Sequence, residues 1–468
     1  MNFRIRKSLL AVAVSGLVAA PLAHATNGYF MHGYGSKEKG MAGAGVAYNH
    51  NDAMAAATNP AAMAFVDQRV DVGLQIFSPS PRKYTSTGTA TNFFSPPPPG
   101  GTGEFTFSIG DGSQSIESEN DFFLLPHGAV NWLLNDKTTI GLAVYGNGGM
   151  NTEYVGGFAS VNDALVGGGG AGAAQLPGTF GFGTAGINLE QMFFNFNSSY
   201  KLNPKHALGG SLIVVGQRFR AQGLEFFGSF SSDPANLSGN VNSLSWGLGA
   251  KVGYQGEVAD GVRVGISYQS KISMSEFDEY KGLFAEGGDF DIPSTYTLGV
   301  SFDVGQSGVI VADYQRINYS DVASIANPFA NILTCNPFTT PASGSGCLGA
   351  SNGAGFGWED IGIFKLGYQW NMVNMDWRVG YSHADQAIPE SEVLFNILAP
   401  ATVRDRLTFG LTKEVGKTQE FNFAFMYALN ESVTGPNAFD PPNEFGTGQT
   451  IEIEMSQIDI QAGWAWKF

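Results

Sequence analysis

Apolar and polar side chains alternate along most of the chain, from Val66 to Phe468, in runs of about ten residues. In an extended strand, successive side chains point to opposite faces, so the pattern predicts strands with one apolar face. The clearest runs are 244–254, 295–304 and 421–430. A membrane β-barrel requires strands of this kind. A soluble β-sandwich also alternates, but its polar faces would carry many more Lys and Glu residues.

Turns separate these runs and give the number of strands. Six tight polar turns alternate with seven longer connections. The turns lie at 135–137, 203–205, 259–261, 305–307, 372–374 and 416–418, and the longer connections are roughly 81–118, 148–188, 222–240, 281–290, 323–357, 385–402 and 431–448. Seven hairpins give fourteen strands. Bacterial outer-membrane barrels likewise have an even number of strands, joined by short turns on one side and longer loops on the other. The predicted fold class is all-β: a 14-stranded antiparallel transmembrane β-barrel over residues 66–468.

The segment 26–65 differs from everything after it, because it is crowded with Gly and Ala and has no strand period. A short helix is expected to begin at Asn51 or Asp52, whose side chains can cap it, and to end before Pro60. Irregular backbone is tolerated at membrane depth only where protein or a water-filled cavity surrounds it. We therefore predict that residues 26–65 form a hatch, or plug, in the barrel lumen.

Residues 1–25 have the features of a secretory signal peptide. Three basic residues precede an apolar run from Leu9 to Ala20, and Ala23-His24-Ala25 provides a cleavage site. A transmembrane anchor would need about 20 apolar residues, and this run is shorter. The mature chain is expected to begin at Thr26, in the outer membrane of a Gram-negative bacterium.

The composition narrows the classes of function. Only 14% of the residues are charged, which is less than a soluble domain usually carries, and 43% are hydrophobic. The net charge of −16 argues against nucleic acid as a partner and against a polybasic lipid-binding surface. None of the six histidines lies in a recognisable catalytic motif, so no enzymatic activity and no cofactor are expected.

Cys335 and Cys347 lie in the fifth long connection. In an exported protein, two cysteines that close a short polar loop predict a disulfide. A metal site would need His or further Cys residues nearby, and the loop has none.

The last strand ends the chain on an aromatic residue. Apolar residues alternate from Ile458 through Trp464 and Trp466 to Phe468. This ending resembles the recognition signal of the barrel-assembly machinery, which is therefore an expected partner through Phe468. The two Trp residues suit an aromatic girdle at the membrane interface, beside the expected lipid and lipopolysaccharide.

With these features together, the chain resembles the FadL/TodX (OmpP1) family of outer-membrane transporters of long-chain fatty acids and other hydrophobic compounds. The most specific stretch is Gly40 to Ala61, a small-residue run that leads through an Asp-Ala helix to Asn59-Pro60-Ala61. Later matches are Trp358-Glu359-Asp360 leading into Lys365-Leu366-Gly367-Tyr368, Ala384 to Pro389, and Arg404-Asp405-Arg406. The resemblance covers nearly the whole mature chain.

The resemblance implies passive transport. A hydrophobic molecule enters a groove among the outer loops, reaches a lumenal pocket beside the hatch, and leaves sideways through a gap at a kinked third strand. Here the third strand is predicted over 138–147 and ends in Gly146-Asn147-Gly148-Gly149. Glycines would permit a kink there. The alternative is an ordinary strand end that runs into a Gly-rich loop.

The substrate is left open between fatty acids and neutral or aromatic hydrocarbons. Fatty-acid transporters of the family hold the carboxylate with basic side chains, but the connection 148–188 has no Lys or Arg. A buried carboxylate needs a partner, and the candidates are Lys37, Lys39, Arg218, Arg220 and Arg316. The alternative function is a structural or receptor barrel whose outer loops bind partners and whose lumen transports nothing.

Overall fold

A computed structural model describes residues 27–90, 106–161, 174–440 and 448–468, so the signal-peptide prediction lies outside the described residues. Fourteen strands of this described part form the barrel wall. They are β1 (Arg69–Ser78), β2 (Phe123–Leu133), β3 (Thr138–Asn151), β4 (Gly186–Asn203), β5 (His206–Gln222), β6 (Ser243–Ala259), β7 (Val262–Gln269), β8 (Thr295–Val304), β9 (Gly308–Ile317), β10 (Ile361–Met372), β11 (Met375–Ala384), β12 (Asp405–Val415), β13 (Gln419–Pro436) and β14 (Thr450–Lys467).

Each strand pairs antiparallel with the next, and β14 pairs with β1 to close the ring. The closing register runs from Arg69 opposite Lys467 to Ser78 opposite Ile458. The six tight turns lie between consecutive strands where the sequence predicted them. The predicted fold class, a closed 14-stranded antiparallel barrel, is therefore confirmed. The third strand was predicted to end at Asn147 but continues to Asn151.

Side chains of the wall divide into two faces. On β6 the outward Leu244 is 64% exposed, whereas the neighbouring inward Ser245 is fully buried. The same alternation of exposed apolar and buried polar residues runs along β4 and β5. Exposed Leu, Trp and Tyr side chains suit contact with lipid, and the inward polar groups bond to the segment that fills the lumen.

The outer loops carry further structure that the alternation pattern did not predict. Strand Arg82–Gly88 continues the sheet beyond the membrane, because it pairs with the outer half of β14 and with strand Gly112–Glu117. Strands Phe107–Ile109, Phe158–Val161 and Ala174–Pro177 form a separate small sheet, and strand Ser273–Met274 pairs with β6. Cys335 and Cys347 form a disulfide in the loop between β9 and β10.

The helices of the described residues are short, and none is long and apolar enough to cross a membrane. Two α-helices of one turn, α1 (Ser36–Lys39) and α2 (Ala55–Thr58), lie before the barrel, and 3-10 helix Pro60–Phe65 follows them. The loops hold α3 (Ala285–Gly288), α4 (Ala323–Ala326) and α5 (Val393–Asn396) and the 3-10 helices Glu225–Phe230, Pro234–Asn236, Asp278–Tyr280, Tyr319–Asp321, Phe329–Thr334 and Glu390–Glu392.

The predicted start of the second helix was wrong. It begins at Ala55 rather than at Asn51 or Asp52. His50 and Asn51 have positive φ angles of 52° and 46°, which a helix cannot continue through. Asp52 instead accepts a hydrogen bond from the amide of Met54 at 2.8 Å and makes a turn. The helix does end before Pro60, as predicted.

The segment 27–65 is surrounded by the wall. It is buried almost throughout. Its backbone or side chains bond to β1 through Asp71, to β9 through Asp313 and to β12 through Thr408. These strands lie on different sides of the ring, so the segment fills the barrel from wall to wall. We refer to this segment as the hatch from here on.

Three wall glycines let the hatch backbone approach the strands. A Cβ on Gly265 would lie 2.0 Å from the carbonyl oxygen of Val46, and one on Gly209 would lie 2.3 Å from the carbonyl carbon of Pro60. A Cβ on Gly253 would lie 2.0 Å from the side chain of Asn59. Any larger side chain at these positions would displace the hatch.

Gly209→Val is expected to unseat the hatch, because overpacking against fixed backbone costs about 1–3 kcal/mol or more. The folded variant should conduct more ions than the wild-type protein in planar lipid bilayers. Gly210→Val is the matched control, since a Cβ there meets its nearest atom at 3.9 Å. A folded Gly209→Val barrel that conducts no more than the Gly210→Val barrel would contradict this account of the seating.

Candidate functional site

The wall is irregular where β3 passes the hatch. The register between β3 and β4 shifts between Gly146 and Gly148, which leaves Asn147 as a bulge. Pairing between β2 and β3 starts near the tight turn and stops at Gly128 opposite Val144. Residues 146–149 are called the kink below, and they are the glycine-rich positions that the sequence singled out.

On the loop side of Gly128, β2 pairs with only one neighbouring strand. Its residues 123–127 pair with β1 and have no partner strand on the β3 side among the described residues. Phe123 and Leu125 of this stretch are buried with Phe77, and Met192 of β4 packs against them. The wall therefore has a local gap between β2 and β3, and apolar side chains lie beside it.

The hatch covers this gap from the inside. The amide of Met31 donates to the carbonyl oxygen of Asn147 at 2.5 Å, and the Tyr34 hydroxyl donates to the Asn147 side chain at 2.9 Å. The Asn147 amide group in turn donates to Gln191 at 3.2 Å. The backbone oxygen of the bulged residue is thus bonded to the hatch instead of to a neighbouring strand.

Gly148 is required by this contact. A Cβ at this position would lie 1.3 Å from the carbonyl oxygen of Tyr29, which leaves no space for any side chain. The sequence explains the glycines of the kink by backbone freedom alone. The structure adds the close approach of the hatch as a second reason.

Aromatic rings fill the lumen on the loop side of the hatch. The ring centre of Tyr29 lies 6.0 Å from Trp358 and 5.8 Å from Tyr319, and all three side chains are buried. The cluster continues into the outer loops through Phe219, Phe227, Phe284, Phe290, Phe329, Phe395 and Phe439. These buried rings pack against one another and form a continuous apolar cluster from the outer loops to the region of the kink.

The hatch motif Asn59-Pro60-Ala61 has a structural role. The Asn59 amide donates to the carbonyl oxygens of Val46 at 2.7 Å and Tyr254 at 2.9 Å, and its side-chain oxygen accepts from the Ala61 amide at 3.0 Å. The motif therefore joins two parts of the hatch to the wall at β6.

Two of the five predicted head-group residues hold the hatch in place. Lys37 forms an ion pair with Glu420 at 2.7 Å, and Lys39 forms one with Asp459. Both lysines are buried. Their charges are matched by carboxylates of β13 and β14, so the structure does not leave them for an incoming carboxylate.

The other three candidates lie outside the lumen. Arg218 and Arg220 share the outward face of β5 with Leu212, and Arg316 shares the outward face of β9 with Tyr314. Nη2 of Arg218 donates to both carboxylate oxygens of Glu190 at 2.7 Å, and Nη2 of Arg316 donates to Asp360 at 3.2 Å. The alternation of the strands, which the sequence reasoning did not apply to these residues, places them there.

Several buried charged groups were not among the candidates that the sequence singled out. Lys251 and Lys365 point inward from β6 and β10 and donate to hatch carbonyl oxygens, those of Ala57 and Gly43. Glu38 of the hatch faces them, and burial raises its pKa to about 7. Arg82 lies at the outer end of the lumen, buried beside the kink. The alternation along β6 and β10 places both lysines on the inward face, so the sequence could have identified them. No sequence signal marks Arg82.

Within the described residues, no three His, Cys, Asp or Glu side chains gather as a metal-ion site. The arrangement combines a buried aromatic cluster, a segment that occludes the lumen and a local gap in the wall.

Solved structures share this fold. The toluene transporter TodX of P. putida matches with a TM-score of 0.61 and 17% identity, over 93% of this chain and 99% of that chain. A FadL homologue of Pseudomonas aeruginosa matches with a TM-score of 0.61 and 15% identity, over 94% and 100%. The toluene transporter TbuX of Ralstonia pickettii matches with a TM-score of 0.54 and 17% identity, over 93% and 99%. At these identities the likeness establishes the fold alone.

A comparison with curated proteins found no match. The family model described as "Outer membrane protein transport protein (OMPP1/FadL/TodX)" matches residues 16–167 and 178–440, which is most of the chain. The sequence resemblance is thereby confirmed, and the chain belongs to the OMPP1/FadL/TodX family of outer-membrane transport proteins.

Proposed function

We propose that the protein is a passive channel for hydrophobic small molecules, which leave the lumen sideways through the gap between β2 and β3. The observation that carries the proposal is the loss of β2–β3 pairing at the kink, at the place where the hatch closes the wall. A closed barrel has every strand paired on both sides, so an unpaired stretch held in this way is a specific feature.

Sideways exit suits the chemistry of an apolar cargo. Burying apolar surface away from water is favourable by about 25 cal/mol per Å². A molecule that moved from the aromatic cluster straight to the periplasm would lose that energy. A molecule that moved through a gap beside Phe123 and Leu125 would pass from an apolar lining into the apolar membrane.

The hatch serves as the closing element in this proposal, and its release from Asn147 opens the path. The Met31 and Tyr34 bonds are the contacts that must break. Opening then depends on a few hydrogen bonds, and not on the ion pairs of Lys37 and Lys39, which stay in place and keep the rest of the lumen filled.

The cargo is proposed to be a fatty acid or a neutral hydrocarbon. TodX and TbuX, which share the fold, are described as toluene transporters, and another structure with the same fold is described as a FadL homologue. The aromatic cluster accepts either kind of tail. Transport is proposed to need no energy source, and assembly of the barrel is proposed to use the C-terminal Phe468 signal.

Cells that carry the gene are expected to take up labelled oleate or toluene faster than cells that lack it, because the channel gives an apolar molecule a path past the lipopolysaccharide. Initial uptake rates at low substrate concentration measure this. Unchanged uptake of every hydrophobic solute tested would instead favour a structural or receptor barrel.

Deleting Asn147 is expected to restore regular pairing along β3, because the register shift of one residue disappears. Transport should fall at least severalfold while heat-modifiable gel migration still reports a folded barrel. Asn147→Ala separates the bulge from its side-chain bonds, because it keeps the bulge but removes the bonds to Tyr34 and Gln191, and it should transport at least as fast as the wild-type protein. If the folded deletion variant transports as well as the wild-type protein, the exit lies elsewhere.

A further inference from the structure

Met192 lies on the outward face of β4, beside the kink. Its two neighbours along the strand point inward and are buried. Gln191 accepts a hydrogen bond from Asn147 at 3.2 Å, and Phe193 stacks on Tyr145 with ring centres 5.5 Å apart. Because successive side chains of a strand point to opposite faces, Met192 is directed toward the membrane.

The side chain of Met192 nevertheless packs against a cluster that belongs to the inward face. Phe77 of β1 and Phe123 and Leu125 of β2 form this buried cluster, with the two phenylalanine ring centres 6.3 Å apart. The residue between the last two, Leu124, is exposed on the outside. In a fully paired sheet the two faces are separated by the backbone, so a contact between them must pass through the gap between β2 and β3. Met192 thus fills the gap from outside.

Two glycines explain the direction that Met192 takes. It lies opposite Gly146 of β3 on one side and Gly216 of β5 on the other. The space over Gly216 is taken by Trp246, since a Cβ on that glycine would lie 3.0 Å from the indole ring. Gly146 has no side chain to block the other direction. A side chain on β4 can therefore extend past β3 to β2, which lies about 10 Å away as the second strand over.

The gap opens near the level of the lipid head groups. The next outward residue of β4 toward the loops is Glu190, which pairs with Arg218 at 2.7 Å. Charged groups on the lipid face are costly at the middle of a membrane and much less so near its surface. The next outward residue toward the turns is Phe194. Met192 is thus the first apolar side chain of β4 below the polar layer.

We propose that Met192 is the membrane-side gate of the exit, and that its side chain determines the width of the hydrophobic molecule that can leave. The inference rests on the proposed function and adds the feature that selects its cargo. The hatch closes the gap from the lumen through Asn147, and Met192 closes it from the lipid. A departing molecule takes the place of Met192 beside Phe123 and Leu125, so contacts with the cargo replace the contacts that the thioether loses.

Methionine has the properties that such a gate needs. Its side chain is unbranched, with three rotatable bonds and a polarizable sulfur, so it fills irregular spaces and tolerates a change of partners. A β-branched side chain would be fixed at its first torsion. Selection at this gate depends on width. A slender chain passes with a small displacement of the side chain, whereas a bulky cage must displace it completely.

The test compares two neutral hydrocarbons with the same number of carbon atoms, slender n-decane and cage-shaped adamantane. Initial uptake of each labelled compound is measured in cells that carry the gene, and rates are divided by the amount of folded protein from heat-modifiable gel migration. Met192→Ala should raise the ratio of adamantane to decane uptake about tenfold, since even one methylene group gives that discrimination in an apolar site. Met192→Trp should lower this ratio and slow both compounds.

Leu212→Ala and Leu212→Trp are the matched controls. Leu212 is an outward residue of β5 that is 54% exposed and lies opposite Phe196, away from the gap. Both control variants should keep the wild-type ratio. Met192 variants that have the same ratio as these controls overturn the inference, and so does an equal fall of both rates in Met192→Ala, which would indicate a structural role.

A chemical version of the test avoids any effect of the substitutions on folding. The chain has only two cysteines, and they form the disulfide, so Met192→Cys introduces the only free thiol. Alkylation with N-benzylmaleimide after folding should reduce adamantane uptake more than decane uptake, and the smaller N-methylmaleimide should have less effect. The same treatment of Leu212→Cys cells should leave the ratio unchanged. Equal effects of alkylation at the two positions would contradict the proposal.

The proposed function fails separately. If gene-bearing cells take up none of these solutes, oleate and toluene included, faster than cells without the gene, the channel itself is refuted. If oleate or toluene enters but Met192→Ala admits neither hydrocarbon, or leaves their ratio unchanged, only the role of Met192 is refuted.

Discussion

The structure depends on one constraint: an irregular backbone lies at membrane depth, and its polar groups must all find partners inside the barrel. The wall supplies them from its inward face. Glu420 and Asp459 bind the two lysines of α1, and Asp313 accepts the amides of Gly45 and Val46. Buried ion pairs add little net stability, but breaking one is costly. The hatch therefore has one seated position, which the polar face of the barrel dictates.

The same constraint connects the hatch to the kink. A bulge in β3 leaves the backbone of Asn147 without its usual neighbour, and an unsatisfied carbonyl in a membrane wall would cost several kcal/mol. The hatch amide of Met31 provides the missing donor. The interruption of the wall and the element that covers it thus stabilise each other, so the gap is closed without a paired strand.

The chemistry of the lumen changes along its axis. Toward the tight turns the hatch is held by charges and hydrogen bonds, as at Lys39 and Asn59. Toward the loops the packing is aromatic, around Tyr29 and Trp358. Buried cations also lie at this end: Arg82 is 3% exposed, and Arg406 is fully buried. Polar contacts fix the position of the hatch, whereas apolar packing tolerates exchange of partners, so the two ends of the lumen differ in how strictly their contacts are specified.

The sequence by itself determined the strand number and positions, because lipid on one side and a filled lumen on the other impose a period of two that is local in the chain. It also located the hatch and the glycines of the kink, since both break that period. The sequence prediction misplaced the start of α2. The side chain of Asp52 could either cap a helix or form a turn with Met54, and residue propensities do not decide between these two local hydrogen bonds. Only the tertiary structure decided which charges are available. Lys37 lies 383 positions from Glu420, and pairing across such a distance depends on closure of the ring rather than on any local pattern. For the same reason, the sequence could not show that Arg82 has no carboxylate partner among the described residues.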